Sequence, residues 1–226
     1  ETAQATVTVT GPPPTLDLTS WEVALASGSL TTGSAVTFLG SVANGGNGDT
    51  AVTFSNRFQI DLNGDGSYDT NLDATNSIVG INAGQTKTAT SPSWVAVLGA
   101  HKIRLCTDTP TSAVTESDEG NNCGADYTFT VATPADLVSG APVLASGTPT
   151  IGSPVTLSAS VTNVGGTHVT ALFSNRFQID LDSNGSYDTN LDATNSIDGI
   201  NASQAKTVTS PSWVAVSGTH KVRLCT

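Results

Sequence analysis

Hydrophobic residues in this chain alternate with Thr, Ser and charged residues in short runs. Residues 5–10, ATVTVT, alternate strictly with Val7 and Val9 on one face, the period-two signature of a strand with one buried side. Tyr127-Thr-Phe-Thr-Val131 repeats that pattern. Phe58, Ile60 and Leu62 share the inner face of another run, with Arg57 and Gln59 facing out. Ile103 and Leu105 point inward in a third, leaving Lys102, Arg104 and Cys106 outward. The pattern predicts strands near residues 16–25, 35–43, 51–61, 67–72, 84–90, 93–97, 100–107 and 125–132, with 84–97 readable as one strand. Gly33-Ser34, Asn44-Gly45-Gly46, Asn63-Gly64-Asp65-Gly66 and Gly99 separate them with turn-forming residues. Short strands at this spacing, with no helix between, predict an all-β, Ig-like antiparallel β-sandwich.

The pattern occurs twice. Residues 55–107 return almost unchanged at 174–226, shifted by 119 positions without a gap, and the match reaches back to Asp17 and Asp136. The repeating unit is therefore a whole domain. Gly11-Pro-Pro-Pro14 and Thr133-Pro134 form stiff connectors ahead of each Asp-Leu start. Residues 1–14 are expected to be the last strand of a preceding repeat plus its linker, 15–133 a complete repeat, and 134–226 a second repeat lacking its final strand. The expected architecture is a tandem, elongated array of sandwiches, a design that extends a surface by repetition.

Composition narrows the setting. Only 12% of residues are charged and the net charge is −11, which argues against nucleic acid as a partner, since that requires a basic footprint. No apolar stretch is long enough to insert in a membrane. Few Lys and Arg, abundant Thr and Ser, and one well-spaced cysteine pair point to an extracellular location.

Candidate chemistry centres on an acidic loop. Asp61, Asn63, Asp65, Ser67 and Asp69 alternate, with Gly66 where the chain turns sharply and Asp73 beyond. Oxygen side chains at alternate positions around a glycine match a calcium loop. The second copy offers Asp180, Asp182, Asn184, Ser186, Asp188 and Asp192, so Asn and Asp have exchanged places while the carboxylate count is kept. A structural Ca2+ ion would explain that constancy. A polar hairpin turn explains the Asn and Gly, but not clustered like charges. No nucleophile elbow, phosphate loop or dinucleotide fingerprint is present, and the expectation is a protein that is not an enzyme.

Cys106 and Cys123 enclose sixteen residues between the end of one strand and the start of the next, a spacing that suits a disulfide tying neighbouring strands. Cys225 matches Cys106, with its partner expected beyond Thr226. All Lys and Arg residues fall into matched pairs in the copied segment. Arg57, Lys102 and Arg104, with Arg176, Lys221 and Arg223, are expected to form a small outward cationic patch. Solubility and surface ion pairs are one account of it; an interface with another subunit or an anionic glycan is the other. Trp94 and Trp213 are expected in the cores.

Val114-Thr-Glu-Ser-Asp-Glu-Gly-Asn-Asn122, the Asp17-Leu18 opening, Gly33-Ser-Ala-Val-Thr37 and Val42-Ala-Asn44 together resemble the CARDB family, cell-adhesion-related Ig-like modules of bacterial and archaeal surface proteins. The second copy supplies Asp136-Leu137, Gly152-Ser-Pro-Val-Thr156 and Val161-Thr-Asn163. The resemblance implies a secreted, multidomain surface protein without catalytic residues. The expected function is a segment of an adhesin stalk or extracellular filament, stiffened by calcium and disulfides. The alternative is a non-catalytic or carbohydrate-binding accessory module of a secreted enzyme. Expected partners are other copies of the repeat and glycans; strand donation from residues 1–10 to a neighbouring copy is one route, and ordinary truncation of a longer chain accounts for the same ends.

Overall fold

A computed structural model describes residues 13–226. The strand expected over residues 5–10, and the strand donation expected of residues 1–10, lie outside the described residues. All regular structure among the described residues is β, and the chain divides into two compact units, one ending at Val131 and one spanning Ala132–Thr226.

The first unit begins with β1 (Leu18–Ser27), β2 (Ala35–Asn44), β3 (Thr50–Phe54), β4 (Arg57–Asp61) and β5 (Thr70–Asp73). It continues with β6 (Ile78–Ile81), β7 (Thr86–Thr90), β8 (Trp94–Val95), β9 (Gly99–Cys106) and β10 (Tyr127–Val131). One sheet has the order β1-β2-β7, with β8 also paired to β2; the other has the order β10-β9-β4-β5. The remaining ribbon pairs β3 with β6. Leu18, Val36, Phe38 and Val42 from the first sheet meet Phe58, Ile60, Ile103, Leu105, Phe129 and Val131 from the second in one buried cluster. Alternating apolar residues on two facing sheets make an antiparallel sandwich.

The expected strand over 51–61 is two strands. β3 pairs with β6, whereas β4 pairs with β5 and β9, so the chain leaves one pairing and joins another at Ser55-Asn56. Alternation cannot show this, because Phe54, Asn56 and Phe58 are all buried and carry the period through the break. The run at 84–97 is likewise divided into β7 and β8. Buried Ser91 bridges the gap: its Oγ accepts the Phe38 N–H at 2.9 Å and donates to the Pro92 carbonyl at 2.8 Å. β6 was not foreshadowed at all. It is short and holds Gly80 at φ 61°, where a Cβ would come 2.6 Å from the Thr50 carbonyl oxygen. Only glycine fits that approach.

The second unit opens with β11 (Leu137–Ser139), β12 (Val143–Ser146), β13 (Pro154–Asn163), β14 (Val169–Phe173) and β15 (Arg176–Asp180). It ends with β16 (Thr189–Asp192), β17 (Ile197–Ile200), β18 (Ala205–Thr209), β19 (Trp213–Val214) and β20 (Lys221–Cys225). β11 and β12 together replace β1. Gly140-Ala141-Pro142 stands where the first unit has Trp21-Glu22-Val23, and a proline has no N–H for the ladder. Both pieces still pair with β13. Trp94 is buried in the first core, while Trp213 is only partly buried against the second.

Candidate functional site

The acidic loop joins β4 to β5. Asp61 ends β4 and is 1% exposed. Its Oδ1 accepts the N–H of Gly64 at 2.6 Å and of Asn63 at 3.2 Å, and its Oδ2 accepts that of Gly66 at 2.9 Å. Gly64 and Gly66 adopt φ of 76° and 91°, the left-handed turns that aim these N–H groups at one carboxylate. Asp69 Oδ2 accepts the Leu62 N–H at 2.8 Å, and Asp65 Oδ1 accepts that of Ser67 at 2.7 Å. Asn63 Nδ2 donates to Asp65 Oδ2 at 3.0 Å.

The second copy repeats this cradle. Asp180 is fully buried and accepts the Gly185 N–H at 2.9 Å and the Asn184 N–H at 3.2 Å. Asp188 Oδ2 accepts the Leu181 N–H at 3.0 Å. Ser186 contributes its N–H to Asn184 Oδ1 at 2.7 Å. Asp180, Asp182 and Asp188 each bring a carboxylate oxygen within 4.8 Å of the others, a donor set of the hard-oxygen kind that divalent cations take. Burial works to raise the pKa of Asp61. The N–H groups of Gly66, Gly64 and Asn63 and the charge of Lys102 outweigh it and hold the carboxyl below its ordinary value. Asp180 is lowered in the same way against its burial, by the N–H groups of Gly185, Asn184 and Ser183.

Asp73 and Asp192 do not join these loops' hydrogen bonds. Asp73 Oδ1 pairs with Arg57 Nε at 2.6 Å, and Asp192 Oδ1 with Arg176 Nε at 2.6 Å. Strand register decides this, since Arg57 stands directly opposite Asp73 and Arg176 opposite Asp192. The other cations are also engaged within their own unit. Arg104 donates from Nε and Nη2 to Gln59 Oε1 at 3.0 and 2.8 Å and lies 3.9 Å over the Tyr68 ring. Arg223 repeats this with Gln178 at 2.9 Å and Tyr187 at 3.8 Å. Lys221 Nζ reaches the Ser183 carbonyl at 3.5 Å.

Cys106 and Cys123 are disulfide-bonded. Cys106 takes the outward side of β9, yet it is buried, because Cys123 bridges alongside it and Gln59 Oε1 lies 3.3 Å from its sulfur. Cys225 is a free thiol that donates to Gln178 Oε1 at 3.1 Å.

The enclosed loop fastens to the start of β1. Ser117 donates its N–H to the Leu16 carbonyl at 2.8 Å, and Asn121 Nδ2 donates to Asp17 Oδ1 at 2.9 Å. Glu116 accepts the Leu18 N–H at Oε2 and Asn122 Nδ2 at Oε1, the latter at 3.1 Å. Burial pushes its pKa up to about 7, helped by the Glu119 and Asp108 charges and opposed by the two hydrogen bonds. Between the ordinary value of 4.5 and about 7 the folded unit binds more protons than the unfolded chain. The Glu116 contribution to stability is therefore present below pH 4.5 and lost as pH rises through about 7. Glu116→Gln is expected to flatten that slope, read from urea midpoints at acidic and alkaline pH. An unchanged slope would contradict the assignment.

Several residues escaped sequence reasoning. Buried His101 places Nδ1 at 2.9 Å from the Leu62 carbonyl and Nε2 at 2.7 Å from that of Val97, and so anchors the acidic loop to the neighbouring turn. His220 makes the equivalent contacts with Leu181 and Val216 at 2.7 and 3.1 Å. A cleft of about 450 Å³ separates β6 from β7, lined by Thr50, Gly80, Asn82, Gln85 and Lys87; its counterpart is about 400 Å³. Lys87 Nζ crosses the first to the Val79 carbonyl at 2.8 Å, and Lys206 Nζ crosses the second to the Asp198 carbonyl at 2.9 Å. A lysine at a strand edge discourages edge pairing.

The CARDB family model matches residues 15–126. No curated protein matches the chain. Among the solved structures that match, one from a chaperone–tip adhesin complex in CFA/I fimbriae biogenesis shares 8% identity over 86% of this chain and 98% of its own, at a TM-score of 0.26. The match begins just before β1 and ends just before β10, and it includes the loop held by Glu116, Asn121 and Asn122. The first sandwich is a CARDB domain.

Proposed function

We propose that this chain is a non-catalytic structural segment of a secreted prokaryotic surface protein, an adhesin stalk or extracellular filament whose repeats are stiffened by calcium. The observation that carries the reading is the repeated acidic cradle, in which a buried aspartate takes its N–H groups from a glycine-shaped loop in both units. Such an arrangement fixes carboxylates in place before any ion arrives, and the Asp180, Asp182 and Asp188 group supplies the charge. CARDB membership of the first unit supports the surface setting. Contacts along the array would be made by other copies of the repeat.

Calcium at about a hundredfold over its dissociation constant is expected to add about 2.7 kcal/mol to the unit that binds it. Differential scanning calorimetry in calcium and in chelator reads this directly. Asp182→Asn should remove the calcium-dependent rise of the second unit and spare the first. Transitions indifferent to millimolar calcium would overturn the metal. Negative-stain electron microscopy of native material tests the stalk: thin fibres that soften in chelator support it, and discrete monomers refute it.

The cleft beside Lys87 and its counterpart beside Lys206 favour a second reading, a carbohydrate-binding accessory module, since amide and ammonium groups line both. Retention on insoluble polysaccharide, lost on Asn82→Ala with Asn201→Ala, would support it over the passive stalk.

A further inference from the structure

Asn56 faces the core between Phe54 and Phe58, and all three are buried. Neither Oδ1 nor Nδ2 of its side chain has a protein partner, and the same is true of Thr107 Oγ1 and Asn122 Oδ1. The backbone brings these groups together. Arg57 pairs with Cys106, Ser55 accepts the Thr109 N–H at 3.0 Å, and Asn122 accepts the Thr107 N–H at 2.9 Å. Asn56, Thr107 and Asn122 thus stand on adjacent segments at the disulfide end of the sheet. Asn175 holds the equivalent place in the second unit, 3% exposed, and both of its side-chain polar atoms are likewise unpartnered.

Buried polar atoms in folded proteins are paired with protein or ordered water. We infer that Asn56 and Asn175 each hold an enclosed, ordered water, which in the first unit is shared with Thr107 and Asn122. A metal ion would satisfy the oxygens and leave the Nδ2 donors facing positive charge. Water both donates and accepts, and it matches the mixed set. The site would pin β4 to the arm beyond β9 where the side chains themselves do not meet.

An atomic-resolution crystal structure of the whole chain tests this, with water-to-amide cross-relaxation of the Asn56 and Asn175 side chains measured by NMR. The expected result is a density peak about 2.7–3.2 Å from the Asn56 amide and from Thr107 Oγ1 or Asn122 Oδ1, with slowly exchanging water at both amides. Direct bonding of Asn56 to Thr107, or a dry site, would overturn the inference. Oxygen contacts of about 2.4 Å would overturn it in favour of a cation. Asn56→Leu is expected to remove the first peak and keep the second; if that variant does not fold, the wild-type readings still decide.

Discussion

Asn44→Ala is expected to lower the stability of the first unit by about 3 kcal/mol, on the basis of roughly 1 kcal/mol for each buried hydrogen bond lost. Asn44 is fully buried at the end of β2. Its Nδ2 donates to the carbonyls of Gly48 at 2.7 Å and Ile81 at 3.1 Å, and its Oδ1 accepts the Gly46 N–H at 3.0 Å and, more weakly, that of Asp17 at 3.4 Å. One side chain therefore fastens the β2–β3 turn to the end of β6 and the lead into β1. Alanine removes these partners together and leaves buried backbone groups without replacements. Asn44→Asp keeps the acceptor but sets a buried carboxylate against the Gly48 and Ile81 carbonyl oxygens, so at neutral pH a loss at least as large as that of alanine is expected. Asn163 makes the same contacts, to Thr167, Ile200, Gly165 and Asp136, and Asn163→Ala should act on the second unit alone. Urea unfolding that resolves the two transitions reads each effect, and a shift under about 0.5 kcal/mol, the range of ordinary surface substitutions, would refute the keystone role.

Reduction of the Cys106–Cys123 bond is expected to cost the first unit about 3 kcal/mol, from the loop-closure entropy of a link spanning 17 positions. For a unit of this size that corresponds to a fall of roughly 10–20 °C in melting temperature. The second unit has no disulfide among its described residues, so its transition should stay in place under reductant. That contrast makes it an internal control. The loop released by reduction carries Glu116 and Asn121, the groups that hold the start of β1. Loss of the bond should therefore also weaken the pH dependence assigned to Glu116. A reduced first unit that melts unchanged would show that the loop's hydrogen bonds suffice alone.

Much of the candidate site was legible in the residues. Asp61 and Asp180 were marked by their position before a glycine turn, and the cysteine pair by its spacing. Asp73 and Asp192 shared the acidic pattern but were taken by Arg57 and Arg176, because cross-strand register sets those neighbours. The cationic patch was legible as outward residues, whereas its internal pairing through Gln59, Tyr68 and their counterparts was not. Asn56 had a visible signal, a polar residue in phase with Phe54 and Phe58. Reading it required knowing that the period continues across a break between strands.

The sequence by itself determined an all-β chain, a duplicated unit, and acidic loops placed at a hairpin. Alternation and turn chemistry are local, acting over a few residues, and can be read in order. Tertiary structure decided which strands exchange partners at Ser55-Asn56, and which carboxylates converge around Asp180. It also decided that Glu116 closes on Leu18, 98 positions away. Those outcomes depend on the register of ladders between distant segments, where a shift of one residue turns every side chain to the opposite face.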